Sequence, residues 1–195
     1  MARRIAIIDG HPDPDGARFG HALAAAYEAG ALAAGHEVRR ITVATLDFPL
    51  LRTAADYRGA APSPVIRACQ ETLGWAGHWV IVYPLWMGSM PALLKAFLEQ
   101  VCRPGFAIGA AGGRGLPRRL LAGRSARVVV TMGMPALLYR WYYRAHGLKS
   151  LERNILGFVG IAPVRATVIG AIEDAAEARR ARWLRELGRL GARAA

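Results

Sequence analysis

Residues 79–95 of the chain read WVIVYPLWMGSMPALLK, and this stretch predicts a strand, a loop and a helix in succession. The apolar, β-branched run at 79–83 suits a strand that is buried on both faces. Pro84 should end the strand, because proline cannot donate to a sheet ladder. Pro91 suits the first turn of a helix, and the apolar residues of 92–101 fall on one stripe.

The rest of the sequence repeats this alternation of apolar runs and amphipathic segments. The other predicted strands are residues 4–9, 37–43, 127–131 and 164–170. The predicted helices are residues 18–34, 65–76, 92–101, 136–146, 150–158 and 175–190. Five strands that alternate with helices predict a doubly wound parallel sheet in an α/β fold. Strand 37–43 should lie near an edge, because its polar and apolar residues alternate. We expect residues 1–195 to form one domain.

Two longer segments carry no strong periodic pattern. Residues 46–64 contain three prolines and are long for a simple connection, which indicates a functional or interface loop. Residues 103–123 are rich in glycine and proline, which predicts a flexible excursion or a lid over the site.

The composition narrows the possible partners and location. The net charge of +12 fits nucleic acid, an anionic membrane surface or phosphate-bearing small ligands, but also a merely arginine-rich surface. The arginines are dispersed and no nucleic-acid motif is present, so we expect no nucleic-acid partner. No apolar segment is long and unbroken enough to predict a membrane span. Cys69 and Cys102 lack a metal or redox spacing, which favours packing roles, a reduced cytoplasmic setting and no bound metal.

The loops after the first and central strands are the candidate ligand site, because ligands bind at the carboxyl ends of strands in open α/β sheets. The loop after Tyr83 carries tryptophan and two methionines, which predicts a wall for a flat aromatic ligand. The segment 10–16 lacks the G-x-G-x-x-G and Lys-Ser/Thr patterns of dinucleotide and phosphoryl-transfer sites, so a flavodoxin-like arrangement fits best. We interpret Asp9, Asp13 and Asp15 as a solvated turn rather than a metal site.

Four pieces of the sequence, in this order, carry a resemblance to a known family. They are Gly10-His11-Pro12 with Phe19, Pro84-Leu85-Trp86 through Pro91-Ala92-Leu93-Leu94-Lys95, Pro104-Gly105-Phe106-Ala107 and Phe158-Val159-Gly160-Ile161. Through them the chain resembles, over nearly its whole length, the flavodoxin-like NAD(P)H:quinone oxidoreductases. That family includes potassium-efflux ancillary proteins and drug-activity modulators.

The resemblance implies a flavodoxin-like, five-stranded fold and a non-covalently bound FAD or FMN. It also implies a homodimer and ping-pong hydride transfer through flavin N5, from NADH or NADPH to a quinone-like acceptor. An alternative is a flavin-binding regulatory subunit of a membrane transporter. A one-electron flavodoxin carrier is disfavoured, because such carriers are usually acidic and this chain is basic.

The resemblance also assigns residues to the cofactor. His11, Arg18 and Phe19 would hold the phosphate or pyrophosphate, where the main-chain N–H groups of a helix N-terminus favour an anion. The residues predicted to grip the flavin ring are Pro84, Leu85, Trp86, Met87 and Gly88 in one loop and Thr131, Met132, Gly133 and Met134 in a second.

Tyr139 and His146 are the candidate catalytic residues. The resemblance places them near a tyrosine and a histidine that assist hydride transfer in some relatives, while ordinary packing explains both equally well. Tyr139 also belongs to an aromatic cluster with Trp141, Tyr142 and Tyr143. This cluster fits either the substrate mouth or a dimer interface.

Overall fold

The computed structural model describes residues 1–59, 61–111, 117–173 and 175–195. Within these ranges the main sheet consists of the strands β1 (Arg4–Asp9), β2 (Glu37–Thr42), β3 (His78–Pro84), β6 (Ser125–Thr131) and β7 (Val164–Ile169). These five strands are parallel and lie in the order β2-β1-β3-β6-β7. The strand order and parallel pairing confirm the predicted doubly wound, flavodoxin-like sheet.

Eight helices flank or connect these strands in the described part of the chain. They are α1 (Phe19–Ala33), α2 (Ala54–Arg58), α3 (Pro64–Trp75), α4 (Ala92–Val101), α5 (Ala136–Trp141), α6 (His146–Lys149), α7 (Gly157–Val159) and α8 (Glu177–Ala192). A 3-10 turn (Val43–Thr45) follows β2, and a π-helical segment (Ser150–Leu156) joins α6 to α7. By the length and hydropathy of the helices, none in the described ranges could cross a membrane.

Alternating residues of the strands build two apolar cores, one on each face of the sheet. Ile5 and Ile7 of β1 pack with residues of α1 and α8, while Ala6 and Ile8 pack with residues of α3 and α4. All seven residues of β3 are buried, as expected for a central strand covered on both faces. Edge strand β2 alternates in burial, which confirms its predicted position.

The close packing of α1 against α8 depends on glycine. A Cβ built on Gly30 would lie 2.0 Å from the carbonyl oxygen of Gly188, and one built on Gly191 would lie 2.0 Å from that of Tyr27. The two helix backbones therefore touch without intervening side chains, which fixes α1 against α8.

The predicted helix over 136–146 is wrong beyond Trp141. Arg144 and Ala145 both adopt φ of 50°, which is outside the helical range for these residues. The chain therefore turns after α5 and begins a new helical stretch at His146, which continues through the π-helical segment. Apolar periodicity alone did not reveal this break, because no glycine or proline marks it.

The predicted flexible excursion over residues 103–123 contains regular secondary structure in its described part. It contains an antiparallel hairpin of β4 (Ile108–Ala111) and β5 (Pro117–Arg119), while residues 112–116 lie outside the described ranges. The base of the hairpin is held to the core, because Leu121 is buried and its N–H donates to the carbonyl oxygen of Val159 at 3.2 Å.

Candidate active site

The carboxyl ends of three neighbouring strands place the candidate residues side by side. Between β1 and β3 the strand order reverses, since β2 lies on one side of β1 and all later strands of the main sheet lie on the other. Asp9 ends β1, and Pro84 and Thr131 end β3 and β6 in register with each other. Ligands of open α/β sheets bind at such a switch point.

The loop after β3 forms a tight turn at residues 86–89, which we call the Trp86 turn. The N–H of Trp86 donates to the carbonyl oxygen of Ser89 at 2.9 Å, and the reverse bond measures 3.0 Å. Met87 and Gly88 have φ of 47° and 79°, the positive values typical of a type I′ turn. Trp86 is 51% exposed and Met87 fully exposed, so the turn presents an aromatic ring to the crevice.

The loop after β1, residues 10–18, is held by its own side chains, and we call it the His11 turn. The N–H of Asp13 donates to Nδ1 of His11 at 3.1 Å, and the N–H of Asp15 donates to Oδ1 of Asp13 at 2.9 Å. The N–H of Ala17 donates to Oδ1 of Asp15 at 3.0 Å. Asp13 and Asp15 thus stabilise the turn as the sequence predicted, and the loop needs no ligand to define its shape.

His11 connects the His11 turn to the Trp86 turn. Its ring lies edge-on to that of Trp86, with centroids 6.4 Å apart, and 5.1 Å from the ring of His21. Burial lowers the pKa of His11, and the neighbouring His21 lowers it further. Because Nδ1 accepts from Asp13, the neutral ring carries its proton on Nε2 and keeps one donor.

A buried polar cluster of Asp9, His21 and Arg40 lies under the His11 turn and was not predicted from the sequence. Asp9 is fully buried, so its interpretation as part of a solvated turn is wrong. Its Oδ2 lies 2.6 Å from Nδ1 of His21 and 2.5 Å from Nη2 of Arg40. Nε2 of His21 lies 2.9 Å from the carbonyl oxygen of Asp13, which ties the cluster to the turn. Its only sequence signal was an acidic residue at the end of a buried strand.

The N-terminus of α1 opens at the His11 turn. Arg18 precedes the helix, and its exposed guanidinium pairs with Oδ2 of Asp13 at 2.7 Å. The N–H groups of Phe19 and Gly20 donate to no acceptor within the described ranges. A helix start with open N–H groups and no acidic residue in its first turn favours an anion.

The second predicted ring-gripping loop, residues 131–134, lies at the end of β6. Thr131 and Met132 are buried and Met132 packs in the core, whereas Gly133 is exposed. The carbonyl oxygens of Met132 and Met134 accept N–H groups from Ile172 and Ala171, which fixes the loop. Among the described residues, the N–H groups of Gly133 and Met134 have no acceptor and remain available to a ligand.

Glu173 is a neighbour of this loop that sequence reasoning missed. A Cβ built on Gly133 would lie 2.7 Å from Oε1 of Glu173, so a larger residue at this position would displace the end of that exposed side chain. The contact joins the segment after β7 to the loop after β6, and no local pattern in the sequence predicts it.

The two candidate catalytic residues differ in their exposure, since Tyr139 is buried and His146 is exposed. Tyr139 is 1% exposed, and its hydroxyl accepts the N–H of Leu148 at 3.1 Å. Burial raises the pKa of Tyr139. His146 is exposed, and its side chain makes no hydrogen bond, ion pair or ring contact within the described part of the chain.

Tyr139 nevertheless bears on the site through α6. Its hydroxyl holds the N–H of Leu148, next to Gly147. A Cβ built on Gly147 would lie 2.2 Å from the carbonyl oxygen of Gly88 and 2.8 Å from Cα of Ser89. The backbone of α6 therefore supports the Trp86 turn directly.

The sequence matches the Flavodoxin_2 family, described as having a flavodoxin-like fold, over residues 3–190. The chain belongs to this family. This match covers the whole main sheet. It confirms the predicted flavodoxin-like fold and the resemblance to a flavodoxin-like family.

Among curated proteins, this flavodoxin-like chain is similar to the glutathione-regulated potassium-efflux system ancillary protein KefG. It is 38% identical to KefG of Shigella dysenteriae serotype 1 over 91 residues, which are 46% of this chain and 46% of that protein. It is 44% identical to KefG of Escherichia coli O6:K15:H31 over 66 residues, 33% of each. The chain thus spans less than half the length of these relatives.

Solved structures share the fold over nearly the whole chain. The NAD(P)H:quinone oxidoreductase of Methanothermobacter marburgensis has a TM-score of 0.78 at 20% identity, covering 98% of this chain and 96% of that one. An FMN-dependent NADH-azoreductase of Bacillus anthracis, in complex with FMN, has a TM-score of 0.73 at 15% identity, covering 97% and 98%. At these identities the likeness establishes the flavodoxin-like fold.

Proposed function

We propose that this protein is a flavin-dependent NAD(P)H:quinone oxidoreductase. The observation that carries the proposal is the arrangement at the switch point of the sheet. There the loop with the half-exposed Trp86 follows β3, which lies between β1 and β6. The segments after β1 and β6 carry main-chain N–H groups that have no acceptor within the described residues, at 19–20 and at 133–134. One set suits an anionic phosphate, and the other suits the polar edge of a ring. Solved structures that share the fold are named as an NAD(P)H:quinone oxidoreductase and an FMN-dependent NADH-azoreductase, which supports a redox role.

The residues present fit FMN or FAD. The N–H groups of Phe19 and Gly20 would donate to the phosphate, with Arg18 supplying positive charge. Trp86 would pack against the ring system, and the N–H groups of Gly133 and Met134 would donate to its polar edge. A bound flavin supplies the hydride-transfer chemistry between NADH or NADPH and a quinone-like acceptor, and the protein supplies binding and orientation.

The catalytic roles of Tyr139 and His146 remain predictions. The buried hydroxyl of Tyr139 holds α6 under the Trp86 turn, which supports a positioning role for this residue. His146 is free to approach a bound substrate, because its side chain is exposed at the start of α6.

We expect the purified protein to bind FMN or FAD and to oxidise NADH or NADPH with a benzoquinone as acceptor. Titration of each flavin, followed by its visible spectrum, and steady-state turnover check this. The variant Trp86→Ala should bind the flavin about tenfold more weakly, because an aromatic stacking contact contributes about 0.5–1.5 kcal/mol beyond its buried area.

Two control variants make this result specific. Trp86→Phe keeps an aromatic ring and should retain most of the affinity, and Leu50→Ala removes an exposed apolar side chain elsewhere and should change nothing. A protein that binds neither flavin would overturn the proposed function. Equal affinities for Trp86→Ala and the wild type would remove Trp86 from the site.

We also propose that the protein forms a homodimer through an exposed apolar surface beside the site. Leu137, Trp141, Tyr142 and Tyr143 are all exposed in and after α5. Contiguous exposed aromatic residues of this kind mark interaction surfaces. Light scattering should give twice the chain's mass of 21.0 kDa, and a monomer at micromolar concentration would contradict the dimer.

A second candidate function is that of an ancillary subunit of a membrane transporter. The partial alignments with KefG favour it, and the net charge of +12 suits an acidic partner surface. Affinity capture of membrane proteins, carried out beside the turnover assay, separates this role from an independent enzyme.

A further inference from the structure

A large cavity lies at the edge of the sheet opposite the candidate active site. Its volume is about 990 Å³, and Arg4, His78 and Ser125 line it at the amino ends of β1, β3 and β6. The strands of the sheet have six or seven residues. At 3.3 Å per residue, about 20 Å of sheet separates this cavity from the Trp86 turn.

The side chains around this cavity are strongly positive. The arginines that line it are Arg3, Arg4, Arg124, Arg165 and Arg193. Among the described residues, the acidic side chain in its lining is that of Glu37. Glu37 pairs only loosely with Arg4, at 3.6 Å on the surface. The positive charges therefore exceed the negative ones, which favours an anionic ligand.

Two of these arginines have guanidinium N–H groups that are available to a ligand. The guanidinium of Arg165 is exposed and donates no hydrogen bond to any residue in the described ranges. Arg4 has only its loose ion pair and a position 5.8 Å from the centre of the Trp75 ring. By contrast, Arg124 donates to the carbonyl oxygens of Gly74 and Ala76, so it maintains the cavity wall.

A buried histidine supplies an independent observation. His78 is 2% exposed, and its Nδ1 lies 2.8 Å from Oγ of Ser125. Its Nε2 is buried and has no hydrogen-bond partner among the described residues. Burial, together with Arg3 and the other nearby arginines, lowers its pKa to about 4, so the ring is neutral at pH 7. An unpaired buried polar atom is costly, so an acceptor that reached Nε2 from the cavity would be stabilising.

We propose that this cavity is a second anion site, which binds a phosphate-bearing ligand through Arg4 and Arg165, with His78 in its wall. Guanidinium groups match phosphate oxygens in charge and in bidentate geometry. The site is separate from the proposed flavin site and does not depend on it. Its ligand could be a soluble phosphate compound or the phosphate of a lipid headgroup, since both present the same chemistry.

Pyrophosphate is the probe that tests the proposal. We expect saturable binding by calorimetry, both with added FMN and without it, and a steep decrease of affinity with salt. The double variant Arg4→Ala/Arg165→Ala should bind at least tenfold more weakly. Arg67→Ala, which removes an exposed arginine from α3 outside the cavity, should bind as the wild type does.

NMR locates the bound anion. In the FMN-saturated protein, the main-chain amide signals of His78 and Ser125 should shift on titration with pyrophosphate, while those of Phe19 and Gly20 should not. Equal pyrophosphate affinities for the double variant and Arg67→Ala would overturn the second site. Because the titration is also run without FMN, its result stands whether or not the protein proves to be a flavoenzyme.

Vesicles distinguish the two sources of the anion. Co-sedimentation with phosphatidylcholine vesicles that contain phosphatidic acid, reduced in the double variant but not in Arg67→Ala, would assign a lipid headgroup. Binding of pyrophosphate without such co-sedimentation would assign a soluble ligand. If neither probe binds through Arg4 and Arg165, the proposal is wrong.

Discussion

Replacing Asp9 with alanine is expected to lower the free energy of unfolding by about 3–5 kcal/mol, the cost typical of breaking a buried charge pair. Asp9 is fully buried, and its Oδ2 is the shared partner of His21 and Arg40. The alanine variant removes the carboxylate that pairs with both nitrogen groups, and it leaves Nη2 of Arg40 only a 3.4 Å hydrogen bond to the carbonyl oxygen of His21. Denaturant unfolding followed by circular dichroism measures the loss.

Asp47→Ala is the matched control, because Asp47 is exposed and makes no hydrogen bond or ion pair within the described ranges. It should change the free energy of unfolding by less than about 0.5 kcal/mol. The triple variant Asp9→Leu/His21→Leu/Arg40→Met should recover much of the loss, since an apolar cluster leaves no polar group unpaired. A loss below about 1 kcal/mol for Asp9→Ala would contradict the importance of this cluster.

The variant Gly147→Ala should lower flavin affinity at least tenfold and turnover by about a hundredfold, the penalty associated with a 1 Å displacement of site groups. The new Cβ would lie 2.2 Å from the carbonyl oxygen of Gly88, so α6 and the Trp86 turn must separate. This expectation rests on the proposed function. It is checked by flavin titration and by steady-state kinetics.

Gly188→Ala is the matched control for a glycine inside a helix. A Cβ at Gly188 would have its nearest neighbour 3.6 Å away, an ordinary contact. This variant should keep wild-type flavin affinity and gain slightly in stability, because alanine favours helix. If Gly147→Ala binds flavin as the wild type does, the Trp86 turn is not a part of the cofactor site.

The sequence was most informative where a local pattern decides the structure. The β-branched run at 79–83 and Pro84 predicted both the central strand and its last residue. The Gly88 turn and Pro91 predicted the passage to α4, which begins at Ala92. Each of these features depends on the conformational preferences of a few neighbouring residues, so a single sequence suffices to predict them.

Sequence reasoning failed where contacts join distant parts of the chain. The burial of Asp9 depends on Arg40, which lies 31 residues further along. The break at 144–145 requires unfavourable positive φ at two non-glycine residues, which only the surrounding packing can maintain. The support of Gly88 by Gly147 is likewise invisible to any local pattern.

By itself, the sequence determined the order of strands and helices, the apolar faces that they bury and the edge of the sheet where the candidate site lies. Only the tertiary structure decided that Trp86 meets His11, that the N–H groups at 19–20 and 133–134 have no acceptor among the described residues, and that arginines gather at the opposite edge. The reason is physical. Hydrophobic periodicity indicates which face of a helix or strand is buried, whereas the hydrogen-bond partner of each polar group is supplied by elements far apart in the chain.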